Sequence, residues 1–130
     1  MRWRLRNRAA PAPTGLFERA AARFNASPSG AKVAGLTRTL GVPRASIGAA
    51  AASPELVRVT VAWELTWYQW GVDLADPTRT VFELRRGVDV AEIDAAARQW
   101  NASVGEGGRI AIGLPATAGT AARRVAAPRR

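Results

Sequence analysis

From Leu56 onward, large apolar residues recur at every second position. Val57, Val59, Val61, Trp63, Leu65 and Trp67 fall on one side, and Arg58, Thr60, Ala62, Glu64 and Thr66 on the other. A period of two is that of a strand with one buried face. Beyond Trp67 the phase slips by one residue, so that Tyr68, Trp70, Val72 and Leu74 become the bulky set, separated by Gln69, Gly71 and Asp73. Such a slip predicts a β-bulge or a sharp bend, for which Gly71 is suited. Run straight at ~3.3 Å per residue, Leu56 to Leu74 would span roughly 60 Å, more than a domain of this size, so the strand must bend or break. Trp63 and Trp67 continue the valine stripe and read as core. Tyr68 and Trp70 turn instead toward the face that holds Arg58, Thr60 and Glu64.

The pattern on either side is helical. TGLFERAAARFNASP predicts a short helix, with Thr14 as N-cap, Glu18 at its positive end, and Leu16, Phe17, Ala20, Ala21 and Phe24 on one face. SGAKVAGLTRTLGVP places Val33, Leu36 and Leu40 at helical spacing, with Gly41 as the stop and Pro43 just beyond. Ala45 to Ala52 reads equally as a third short helix or a loop. After the strand, LADPT predicts a turn through Asp76-Pro77, and RTVFELRR a partner strand that completes an antiparallel hairpin. GVDVAEIDAAARQWNASV carries the strongest helical pattern: Asp89 as N-cap with Glu92 three residues on, and Val90, Ile93, Ala97, Trp100 and Val104 along one stripe. RIAIG is a short final strand.

The expected fold is therefore α+β. Short N-terminal helices precede a bent hairpin, an amphipathic helix over one face and a short last strand, giving a small antiparallel or mixed sheet. The expected organisation is a basic disordered tail over 1–13, one domain over 14–113 (helical to 52, sheet and helix from 53), and a second basic disordered tail over 114–130.

Composition narrows the chemistry. A chain of 130 residues can bury a core without staples. It contains no cysteine and no histidine, which removes disulfides, thiolate chemistry and the commonest general base and metal ligand. Glu64, Asp73, Glu83, Glu92 and Asp94 are the remaining carboxylates of interest, and none has a diagnostic spacing for acid-base work or a metal. The expectation is a non-enzyme with no cofactor and no metal. No segment approaches the ~20 apolar residues of a membrane span, and the N-terminus has alternating arginines where a leader has an apolar core, so a cytoplasmic protein without membrane contact is expected.

The formal charge of +9 lies mostly in the ends: Arg2, Arg4, Arg6 and Arg8 in one, Arg123, Arg124, Arg129 and Arg130 in the other, which leaves +1 for 14–113. Lys32 is the sole lysine, and the Arg, Ala, Gly and Pro richness is what GC-rich codons produce.

Leu36 to Ile47, LTRTLGVPRASI, resembles the helix-turn-helix of bacterial DNA-binding proteins, with Leu40, Gly41, Val42 and Ile47 at the matching positions. The resemblance implies a second helix after Pro43 that would enter the major groove, where Arg38 and Arg44 are candidate nucleic-acid contacts alongside Arg2, Arg4, Arg6 and Arg8. Thr37 stands where the motif usually has alanine, and the run after Arg44 offers only Ser46 as a further polar side chain. In style the whole chain is similar to small proteins of high-GC bacteria to which no function is attached.

These readings converge on a non-catalytic binding or assembly protein that acts through protein contacts, by a partner or by self-association. Tyr68, Trp70, Glu64 and Arg85 form its candidate interaction patch. The alternative is a nucleic-acid binder that uses the helix-turn-helix-like segment and the arginine tails, in a non-specific, salt-dependent manner.

Overall fold

The computed structural model describes residues 15–50, 53, 55–76, 78–105 and 107–113. The expected tails with Arg2, Arg4, Arg6 and Arg8, the expected cap Thr14 and the turn residue Pro77 lie outside the described residues.

Two helices come first among the described residues. Helix α1, Leu16–Asn25, starts after Gly15, whose N–H donates to Glu18 Oε1 at 3.2 Å, half of a capping box. Helix α2, Pro28–Leu40, has Ser27 as N-cap, its hydroxyl accepting from Gly30 N–H, and Pro28 in the first turn where no donor is needed. Gly41 ends α2 as the sequence predicts. Its φ of 93° is open to glycine at little cost, and its N–H closes the last turn on Thr37 O.

Six strands follow: β1 Arg44–Ala49, β2 Leu56–Ala62, β3 Trp67–Asp73, β4 Val81–Gly87, β5 Ala102–Val104 and β6 Ile110–Ile112. They form one antiparallel sheet in the order β4-β3-β2-β1-β5-β6. The α+β class holds, but the sheet is larger than the expected hairpin and final strand. The segment from Arg44 that read as helix or loop is strand β1, paired with β2 from Arg44↔Ala62 to Ala49↔Val57. Four small residues, Ala45, Ser46, Gly48 and Ala49, hide the alternation in sequence, and pairing with the valine strand overrides their helix propensity.

The phase slip in the aromatic stretch is a hairpin and not a bulge. Ala62 pairs with Trp67, and Trp63 N–H donates to Thr66 O at 2.8 Å, so Glu64 and Leu65 are the two turn residues. Odd positions of β2 therefore oppose even positions of β3: Val57↔Val72, Val59↔Trp70, Val61↔Tyr68. The slip needed no other cause. A bulge exists elsewhere, where Gln69 faces Arg85 and Trp70 faces Glu83, which leaves Leu84 as the extra residue of β4.

This register sorts the sheet into two faces. Helices α1 and α2 cover Ala45, Ile47, Val57, Val59, Val61, Trp70 and Val72, with Phe24 against Trp70 at 5.0 Å between ring centroids. Trp67, expected beside Trp63, lies on the opposite face with Ala62, Ile93 and Ala97. Leu65, expected in the core, is 77% exposed at the hairpin tip.

The opposite face is covered by the segment expected to be the best helix. It is instead two 3-10 turns, Val90–Glu92 and Ala95–Arg98, separated by extended backbone at Ile93 and Asp94. Asp89 caps the first turn by accepting from Ala91 N–H. The Asp94 carboxylate is held down to the sheet by both terminal nitrogens of Arg58, at 3.1 and 2.8 Å. Ile93 and Ala97 drop into the cluster around Trp67, while Trp67 Nε1 donates to Asp89 O at 2.9 Å. These anchors fix the chain as a strap that continuous helical geometry does not follow.

Candidate binding cleft between β1 and β5

Strands β1 and β5 share one residue pair, Ala45↔Ala102. The next pair of ladder positions would join Pro43 to Val104, and proline has no N–H to give. The ladder stops there and the two strands diverge. On the other side of the single pair the backbone ladder is replaced by a side chain: the Asn101 amide accepts from Ile47 N–H and donates to Ile47 O, both at 2.9 Å.

The divergence opens a cleft of about 280 Å³. Ala45 and Ala102 form a floor of small side chains, Val42, Pro43, Trp100 and Val104 give apolar walls, and Arg44 and Ser103 supply the polar groups. Val42 is 59% exposed at this site, and Leu40, at the end of α2, is 48% exposed. The Arg44 guanidinium lies over the Trp100 ring, 4.5 Å from its centroid. Stacking occupies a face of the guanidinium and leaves its N–H edge for an acceptor. Among the described residues Arg44 makes no ion pair; those present join Arg58 to Asp94 and Arg86 to Glu83.

Two features of the backbone face this cleft. Trp100 has φ of 48°, the left-handed region that a bulky side chain enters at a cost of about 1–3 kcal/mol. The second concerns Val104. Gly105 N–H bonds Arg109 O and Gly113 N–H bonds Asn101 O, so odd positions of β5 point to β6 and Val104 N–H and C=O point to β1. Past Pro43 they have no backbone partner among the described residues.

The expected patch of Tyr68, Trp70, Glu64 and Arg85 is not assembled. Trp70 is 2% exposed beneath α1. Tyr68 is half-buried on the same helix-covered face, stacked on Trp70 at 5.4 Å and 11°. Glu64 is exposed at the hairpin tip, and Arg85 lies across the sheet over Trp67, 5.2 Å from the ring centroid. The bulge at Leu84 shifts the pairing by one, so the arginine near Tyr68 is Arg86, at 5.7 Å, with Lys32 Nζ at 4.5 Å.

The position of the second helix of a helix-turn-helix is strand β1, and Leu40 and Val42, which that motif would bury, are exposed. Arg38 is exposed in the last turn of α2, and Arg44 belongs to the cleft rather than to a recognition helix.

Two carboxyls are held below the ordinary aspartate range. Asp94 is lowered by its hydrogen bonds from Arg58, and Asp76 by the backbone N–H groups of Arg79 and Thr78. Both are explained as anchors, of the strap and of the β3–β4 turn. Among the described residues no three acidic side chains converge as metal ligands, and no helix is long and apolar enough to cross a membrane.

Comparison of the chain with protein-family models, with curated proteins and with solved structures finds no match.

Proposed function

We propose that this is a non-catalytic binding or assembly protein that works through protein contacts made at the β1–β5 cleft and the exposed apolar residues beside it. One observation carries the reading: Val42, 59% exposed, is a wall of a cleft whose other surfaces are mainly apolar. Exposed apolar groups joined to a concave site mark interaction surfaces more often than scattered ones do.

Both sheet edges are less suited to a partner. At β6 the Asn25 amide from the end of α1 bonds Ile110 N–H and O at 2.9 and 3.0 Å, which occupies the outward groups of that residue. At β4 the edge carries Glu83, Arg85 and Arg86 and a bulge, features that oppose strand addition.

Sedimentation of the full chain over a range of concentrations tests the reading. It predicts self-association that Leu40→Asp/Val42→Asp abolishes; an assembly that survives both substitutions, or a monomer that acquires no partner at this face by cross-linking from position 42, contradicts it.

Nucleic-acid binding is the second reading, favoured by one observation away from the cleft. Arg19 and Arg23 line one shallow depression, and Arg23 and Arg79 line another beside Thr78 and Thr80. Phosphate contacts of this kind are sequence-independent and salt-sensitive. A duplex titration that shows no binding at low salt removes this reading.

A further inference from the structure

We propose that the β1–β5 cleft takes a carboxylate attached to an apolar group, with the apolar group against Trp100 and Val42 and the carboxylate shared between Arg44 and the backbone N–H of Val104. The proposal deepens the protein-contact reading and rests on the cleft being the binding face.

Three observations meet at the site. The walls are apolar and the floor consists of two alanines, so the space accepts a group of about side-chain size. Arg44 is placed over Trp100 with no carboxylate of the described chain on it, and a stacked guanidinium still presents two parallel N–H groups in the geometry of a carboxylate. Val104 is buried, and its N–H, turned toward β1, has no backbone acceptor among the described residues. A buried donor without an acceptor is costly, and an anion that supplies the acceptor is favoured by the same amount. The pairing of a backbone N–H with an arginine beside an apolar slot is chemistry that captures either a small apolar acid or the C-terminal residue of a polypeptide. Trp100, held with φ of 48°, puts its ring where both the guanidinium and the ligand body touch it.

Isothermal titration of the full chain decides the matter with four probes: 3-phenylpropionate, its amide, and the peptide Gly-Gly-Phe with a free or an amidated C-terminus. Both free acids bind, and both amides bind roughly tenfold or more weakly, the value of one charge-assisted hydrogen bond. Arg44→Gln weakens the acids by a similar factor, while Arg38→Gln, an exposed arginine on α2, leaves them unchanged. Tighter binding of the peptide assigns the site to polypeptide C-termini; tighter binding of phenylpropionate assigns it to a free acid. Amides that bind as well as acids, an Arg44→Gln variant of unchanged affinity, or no heat from any probe at about 10 mM overturns the proposal. If the glutamine variant fails to fold, the acid-amide comparison on the unaltered chain still decides. Loss of acid binding with an assembly still sensitive to Val42→Asp would reject the carboxylate and leave the protein-contact reading standing.

Discussion

The side chain of Asn101 does for Ile47 what a strand would do, accepting from its N–H and donating to its C=O at 2.9 Å each. Asn25 does the same for Ile110 from the end of α1. A primary amide offers a donor and an acceptor side by side, as a peptide does, so it can close a backbone ladder where the chain itself has turned away. The first pair lets β5 leave β1 after a single backbone bridge without stranding Ile47, and so supports one end of the cleft.

Asn101→Ala should therefore destabilise the fold by about 1–3 kcal/mol, since it leaves the backbone groups of a buried residue unpaired. Denaturant titration gives the magnitude, and hydrogen exchange should show Ile47 N–H losing protection ahead of Val59. Unchanged protection at Ile47 would mean that the amide pair contributes nothing.

The hairpin register predicts a sharp contrast between two large apolar residues close in sequence. Trp70→Ala should cost about 3–5 kcal/mol, because the ring fills the space between β3 and Phe24. Leu65→Ala should change stability by no more than about 0.5 kcal/mol, because the side chain is in solvent. Comparable urea midpoints for the two variants would contradict the turn at Glu64-Leu65.

The strap over the second face should be sensitive to acid through Asp94. The Arg58 hydrogen bonds place its folded pKa below the ordinary 3.8. A carboxyl lowered on folding stabilises the protein above its unfolded pKa and loses that contribution as pH falls below 3.8 and through the folded value. Because the Asp94 side chain is 44% exposed, solvent screening keeps the contribution under about 1 kcal/mol. Asp94→Asn should lower stability slightly at neutral pH, and the difference from the unaltered chain should shrink as the pH falls below 3.8. A difference that persists at lower pH would assign the effect to packing.

Gly108 is a sensitive position, where one backbone passes close to another. Its φ is +83°, and a Cβ there would run into the backbone and side chain of Ala34 on α2. Gly108→Ala should cost more than about 1 kcal/mol, from strain and displaced α2 together. A neutral thermal shift would show that the β5–β6 turn does not bear on the helix.

Although the N-caps are Gly15, where Thr14 was expected, and Ser27, both helices and the stop at Gly41 were legible in the chain, because Gly41 and the apolar spacing act locally. So were the strand character of β2 and β3, read as one bent strand, the existence of β4 and β6, and the burial of Trp63 and Trp67. The turn between β2 and β3 was not: Glu64-Leu65 carries none of the glycine, asparagine or proline signals of a tight hairpin, and neither residue has positive φ. One missed turn then misplaced Trp67 and Leu65 and made Tyr68 and Trp70 look like a surface. The strap from Val88 to Trp100 kept a helical pattern because Ile93 and Ala97 are spaced by four in either conformation; the pull of Arg58 on Asp94 is a long-range effect that periodicity does not contain. The cleft was invisible for a related reason. Pro43 reads as the end of a helix, and its role in stopping a ladder exists only once Arg44 is known to begin a strand.

The most direct test of the cleft as the binding face is the indole N–H region of a nitrogen-15 NMR spectrum during titration with 3-phenylpropionate. Trp63 and Trp67 donate their indole N–H to Gly41 O and Asp89 O, and Trp70 is buried under α1, whereas Trp100 lines the cleft. The Trp100 indole and the Val104 amide should move together and saturate while the Trp67 and Trp70 indoles stay in place. Shifts confined to Trp67 or Trp70, or a Trp100 signal unmoved at saturating probe, would contradict binding at the cleft.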